Sequence, residues 1–203
     1  MELRRAQGND THPAGRLILS SATNLFSNIF DLSEKHHALA YLRHAFTRAD
    51  GQFGHANHWV IIDDGQVVAI ATAWHTELPT RFHQATLDSI VSYYGLVGGL
   101  DVIQGCQRLQ DFIPAPKKDE WCVGHFAVSV SHRRRGLGRK LLAHMQRLAV
   151  HNGKHKITLD VELSNQDAIN FYLDLGFIFS QNPTPRPTII GQLAAHGHMF
   201  LPI

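Results

Sequence analysis

Cysteine is scarce: Cys106 and Cys122 are the only two in 203 residues, and they form no CxxC pair. That excludes a disulfide scaffold and a cysteine zinc site, and leaves two ordinary thiols of a reducing compartment. Long apolar runs are missing too. The longest, Val67 to Trp74, falls far short of the ~20 residues that cross a bilayer. Met1-Glu2-Leu3-Arg4-Arg5 lacks the apolar core of a signal peptide, so a soluble, cytoplasmic protein with no membrane partner is expected. Nor is there a charge of one sign. Nineteen Lys and Arg against seventeen Asp and Glu leave +2, which speaks against a nucleic-acid partner. No segment is low in complexity and no period of roughly 20 to 50 residues recurs, so disorder and solenoids are excluded. What remains is a chain 44% hydrophobic and of one-domain length. Such a chain buries roughly 70% of its unfolded surface and needs no metal or disulfide to do so.

The first half alternates helical and strand patterns. Leu3 to Ala6 suggests a strand, and Asp10, Thr11 and Pro13 signal a helix start. Leu17, Leu19, Leu25, Phe26, Ile29 and Phe30 follow at loose helical spacing. Ser33-Glu34 reads as the opening of a second helix carrying Leu39, Leu42, Ala45 and Phe46. Residues 58–74 read as a hairpin, two β-branched runs around Asp63-Asp64-Gly65-Gln66. Between about 81 and 113 lie two helical patterns separated by Gly98-Gly99, expected as a helical insertion in a single domain covering 1–203.

The second half reads strand (121–130), loop, helix, strand (157–163), helix (165–175), strand (177–180). A loop with Pro183, Pro185 and Pro187 then leads to a last strand near 198–201. This is an α/β order with parallel pairing at its centre. An exposed last strand would offer a pairing edge to a second copy, a homodimer. Fifteen histidines are an unusual count. His151-x-x-x-His155 straddles Asn152-Gly153, His196-x-His198 shares a strand face and His36-His37 lies on a helix. None makes a three-ligand set, so no metal is expected.

The most informative stretch is Val128-Ser-Val-Ser-His132-Arg133-Arg134-Arg135-Gly136-Leu137-Gly138-Arg139-Lys140. It joins a strand to the first turn of a helix. Glycines there let backbone N–H groups converge where the helix dipole is positive, and five Lys and Arg side chains add donors. The pattern is a cradle for a diphosphate. Position 141 is Leu141 where a dinucleotide fingerprint has glycine, and no Gly-Lys-Ser/Thr triplet is present, so neither nucleotide motif fits.

Arg133-x-x-Gly136-x-Gly138, after a strand ending in Ala127-Val128, resembles the pyrophosphate loop of the GNAT superfamily of acyl-CoA-dependent N-acyltransferases. Asn165-x-x-Ala168-x-x-Phe171-Tyr172 followed by Gly176-Phe177 resembles its C-terminal motif, and Leu159-Asp160-Val161 its fifth strand. The resemblance implies a mixed sheet flanked by helices, with central parallel strands splayed apart around the pantetheine arm of acetyl-CoA. It implies cofactor contacts from Phe126, Ala127 and Val128, from Arg133, Arg134, Arg135, Gly136, Leu137, Gly138 and Arg139, and from Asn165, Ala168, Phe171 and Tyr172. Tyr172 would protonate the leaving sulfur, and a backbone N–H near Phe126 or Val128 would stabilise the oxyanion.

An attacking amine of pKa about 10.4 must also lose a proton. Many members carry Glu or His four or six residues before the position of Val128, where this chain has Gly124 and Cys122. Glu120 has the right parity further out, and His125 acquires it only if the strand bulges. An ordered water or a residue of the 81–113 segment are equal alternatives. Two classes of function follow. One is an N-acetyltransferase acting on a small-molecule amine or a peptide or protein amine, and the other a catalytically silent acyl-CoA-binding scaffold.

Overall fold

The structure, a computed structural model, describes residues 1–109, 113–180 and 194–203. The proline-rich loop at 183–187 lies outside the described residues, as do 110–112 of the helical segment. The described elements are β1 (Glu2–Arg5), α1 (Thr11–Ser21), α2 (Thr23–Phe30), α3 (Ala38–Phe46), β2 (His58–Asp63), β3 (Gln66–Trp74), α4 (Thr80–Leu109), β4 (Glu120–Val128), α5 (Leu137–His151), β5 (Lys156–Glu162), α6 (Gln166–Leu173), β6 (Ile178–Phe179) and β7 (His196–Pro202). The strands form one sheet in the order β1-β2-β3-β4-β5-β7-β6, antiparallel everywhere except for the parallel pair β4/β5.

Strand alternation sends two sets of apolar side chains to opposite faces. On one, Val60, Ile70 and Ala127 meet α1 to α4 through Ile18, Phe30, Tyr41, Leu42, Phe46 and Ile90. On the other, Ile61, Ala71, Val123, Ile157 and Leu159 meet α5 and α6. Leu141, Leu142, Met145 and Ala149 of α5 are buried at the spacing of one helix face, each worth roughly 1.5–3 kcal/mol for the larger side chains. The result is an α/β three-layer domain, as the strand and helix order implies.

The 58–74 hairpin turns through Asp64 (φ 47°) and Gly65 (φ 74°), two consecutive left-handed residues as a tight hairpin of this hand requires. Three helix readings are corrected. The loose spacing from Leu17 to Phe30 is two helices, because Ala22 leaves the helical conformation (φ −158°, ψ 59°) between them. The helix read from Ser33 starts only at Ala38. Asp31 Oδ1 accepts the Ala38 N–H at 2.6 Å, and Leu32 to His36 close a turn on themselves. The long segment α4 breaks at Gly95 (φ 72°, ψ 179°), not at Gly98-Gly99. The two glycines stay helical and let the chain pack close, Gly98 against Tyr94 and Leu32, Gly99 against Val91 and Ile90.

The last strand is longer than expected and not a free edge. β7 pairs with β5 over seven residues, and its other side takes the two-residue β6.

Candidate functional site: a cleft through the sheet

β4 and β5 pair only at Glu120↔Lys156, Trp121↔Ile157 and Cys122↔Thr158, although the strands run on to Val128 and Glu162. Among the described residues the edge of β4 that faces β5 has no registered strand partner beyond Cys122, while its other edge pairs with β3 as far as Val128. Here lies a cleft of about 1100 Å³, lined by Cys122 to Val128 on one side and Leu159 to Glu162 on the other. The lining also includes α2 and α4 residues from one face of the sheet and α6 residues from the other, so the cleft passes between the strands.

On the α5/α6 face, the chain after Val128 makes a short turn over Val130–His132 and enters α5 through Gly136 (φ 78°). Arg134 is also left-handed (φ 61°), which costs roughly 1–2 kcal/mol outside glycine. Arg133 Nε donates to the Val128 carbonyl at 3.3 Å, and His132 faces Asp63 at 3.6 Å, so the loop is tied back to the sheet. The first turn of α5 leaves the N–H groups of Leu137, Gly138 and Arg139 without intrahelical acceptors, the ordinary state of a helix N-terminus. His132, Arg133, Arg134, Gly136, Leu137, Gly138 and Arg139 line the cleft; Arg135 does not. A Cβ on Gly138 would lie 2.9 Å from Phe171 Cζ, so glycine keeps this turn against the aromatic wall of Phe126 and Phe171.

Asn165, Ala168, Phe171 and Tyr172 line the same face. Asn165 Oδ1 accepts the Ala168 N–H at 3.1 Å and caps α6, which leaves its amide nitrogen for a ligand. The Tyr172 ring packs on Phe126, Phe171 and Phe177. Burial pushes its hydroxyl well above the ordinary phenol value, so it holds its proton. Among the described residues that hydroxyl has no hydrogen-bond partner, and Tyr172 lines the cleft.

The opposite face of the cleft is built around a bulge. Ile70 pairs with Ala127 and Thr72 with Gly124, so β4 spends one residue more than β3 between these points, and His125 takes φ 48°. The extra residue rotates His125 onto the α1–α4 face. There it stacks on Phe53 (4.9 Å, 10°) and meets Phe26 and Trp74 edge-on. This is the bulge on which its parity depends.

Glu120 is not brought to the cleft. It is buried at the start of β4, where Oε2 accepts the Lys117 N–H at 2.8 Å. At Gly124 a Cβ would sit 1.9 Å from Trp74 Cζ3, so the Trp74 ring fills the space that a side chain would need. The Cys122 thiol is pushed up to about 12 by burial and by nearby Asp160, so it stays protonated and is no nucleophile. His58 and Trp74, which surround His125, carry no motif in the sequence; only the β2–β3–β4 register brings them together.

Among the described residues no group of three or more His, Cys, Asp or Glu is arranged to hold a metal ion, and no helix is long and apolar enough to cross a membrane.

The sequence model described as the acetyltransferase (GNAT) family matches residues 20–177. No curated protein matches the chain. Solved structures with the same fold include an N-acetyltransferase from Staphylococcus aureus Mu50, at TM-score 0.68 and 16% identity, covering 99% of this chain and 100% of that one. A ribosomal-protein-alanine N-acetyltransferase from Brucella melitensis gives 0.57 at 16% identity, with 100% of both chains covered. Rv2747 from Mycobacterium tuberculosis, in complex with CoA and NLQ, gives 0.52 at 12% identity, covering 100% and 99%. With its loop, its C-terminal motif and its divided sheet in place, the chain belongs to the acetyltransferase (GNAT) family and is an acyltransferase whose cosubstrate is acetyl-CoA.

Proposed function

We propose that this protein transfers the acetyl group of acetyl-CoA directly to a primary amine with an apolar body. The observation that carries this reading is the cleft that crosses the sheet, with the Tyr172 hydroxyl on one face and the His125 imidazole on the other. Acetyl-CoA supplies an activated thioester. The N–H groups at the start of α5, with Arg133, Arg134 and Arg139, suit its diphosphate, and the unpaired edge of β4 from Gly124 to Val128 suits its amide-bearing arm. Phe126, Ala168 and Phe171 pack beside that arm.

The roles then divide by face. His125 accepts the proton that the amine nitrogen sheds as its bond to the acetyl carbon forms. A backbone N–H of the open β4 edge donates to the carbonyl oxygen. Tyr172 gives its proton to the sulfur as the carbon–sulfur bond breaks. His125 loses its proton to solvent and Tyr172 regains one, which restores the starting state.

From Ser20 through Pro116 the described residues lining the cleft include Phe26, Phe30, Phe53, Trp74, Ile90 and Ile113, and none is charged. An aromatic or aliphatic amine fits this wall, while the carboxylates that line the cleft, Asp160, Glu162, Asp167 and Asp174, stand on or beside β5 and α6.

The test is CoA release from acetyl-CoA with benzylamine, hexylamine, spermidine, an aminoglycoside and an alanine-starting peptide, beside thermal stabilisation by acetyl-CoA alone. Stabilisation with fastest release on benzylamine or hexylamine supports the reading. Faster release on spermidine or the aminoglycoside refutes the apolar acceptor, and stabilisation with no release on any amine makes the protein an acyl-CoA-binding scaffold.

A further inference from the structure

His125 does not stand alone. Its Nδ1 lies 2.9 Å from His58 Nε2, and His58 Nδ1 lies 2.8 Å from the carbonyl oxygen of Gly54. His58 has no exposed surface and His125 has very little. We propose that His58 is a positioning residue that fixes His125 in the Nδ1–H tautomer and so aims the Nε2 lone pair at the acceptor amine.

The assignment follows from donors and acceptors. A carbonyl oxygen only accepts, so the hydrogen bond to Gly54 requires the proton of His58 on Nδ1. Burial holds the His58 ring down at about 4, so it is neutral and its Nε2 is an acceptor. The 2.9 Å contact then requires a proton on His125 Nδ1. Burial and the neighbouring His58 keep His125 well below the ordinary imidazole value, so its Nε2 carries a lone pair. Among the described residues Nε2 has no hydrogen-bond partner, and His125 lines the cleft. The anchor itself is rigid: a Cβ on Gly54 would lie 2.3 Å from the Asp50 oxygen, and the Gly54 N–H donates to the Gly51 carbonyl at 3.1 Å. When Nε2 takes the amine proton, an N–H bond breaks at the amine and one forms at Nε2. The bond from His125 Nδ1–H to His58 stays in place throughout.

This inference rests on the acetyl-transfer reading, and its test separates the two. Long-range 1H–15N spectra of the wild-type protein at pH 7 should show both rings protonated on Nδ1 and bare on Nε2; a His125 protonated on Nε2 overturns the proposal. His58→Leu should lower kcat for the best amine at least tenfold with KM for acetyl-CoA within about twofold. His58→Gln, whose amide oxygen can accept from His125 Nδ1, should recover most of that loss. Should His58→Leu fail to fold, the spectra and the His58→Gln rate decide. Full kcat in His58→Leu overturns the pair's role alone. No CoA release from the wild type with any amine, whatever the spectra, overturns the acetyl-transfer reading itself.

Discussion

Trp74 and Gly124 show how one side chain redirects the chemistry of a site. The ring occupies the volume above Gly124, so a carboxylate cannot be restored there by substitution. Gly124→Glu should displace Trp74 and lower stability by about 1–3 kcal/mol, seen as a lower urea midpoint and altered tryptophan fluorescence, with no gain in rate. Tyr172→Phe keeps the ring packing and removes only the cleft-facing hydroxyl. It should cut kcat about 10²-fold and leave acetyl-CoA affinity unchanged; an unaltered rate removes Tyr172 as the acid. Gly138→Leu meets Phe171 at once and should weaken acetyl-CoA binding severalfold in a folded protein, measured by calorimetry. The residues proposed to meet the cofactor were legible because they are contiguous: those between Arg133 and Arg139 and between Asn165 and Tyr172 each sit on a single loop or helix. On the acceptor side only His125 was legible, as a candidate base, since Phe26, Phe53, His58 and Trp74 come from four separate segments with no motif between them.

At the scale of elements, periodicity found the strands and the strongly amphipathic helices, and missed where local hydrogen bonds override it. The Asp31 carboxylate fixes the start of α3 four residues after the Ser33-Glu34 signal, and Gly95 rather than the glycine pair breaks α4. Gly95 has no neighbour within 4 Å of a built Cβ, but its φ 72°, ψ 179° backbone is one that essentially only glycine adopts, so Gly95→Ala should cost about 1–3 kcal/mol of backbone strain. A thermal unfolding midpoint lower by roughly 2–10 °C, with unchanged CoA release from the folded protein, is the expected outcome. The bulge at His125 was legible only as a condition on parity, because an extra residue in one strand shows only against the register of its neighbour.

For the whole molecule, the buried histidine pair makes stability fall on the acid side. Both rings titrate below their unfolded value, so the unfolded chain binds more protons as the pH falls from about 6.5 toward 4. Their contribution is complete above about 6.5 and is lost as the pH falls through that window. His198 works the other way: its hydrogen bond to Asp160 raises it, so its smaller, partly exposed contribution fades as the pH rises through its folded value. Urea midpoints should therefore fall between pH 7 and pH 4.5, and the slope should flatten when His58 and His125 are replaced together by Gln and Phe. A midpoint independent of pH in the wild type contradicts the buried neutral pair.

The three rungs that join β4 to β5 carry a mechanical consequence. The sheet is two rafts, β1 to β4 and β5-β7-β6, sharing one short seam at the Glu120–Cys122 end. Displacement about that seam widens or narrows the far end, between Val128 and Glu162, without breaking any other strand pair. A ligand seated in the gap as proposed should stand in for the missing rungs and stiffen both rafts together. Amide exchange along the open edge of β4 and at the far end of β5 should slow when CoA binds, while the paired interior of β2 and β3 exchanges at the same rate with or without it.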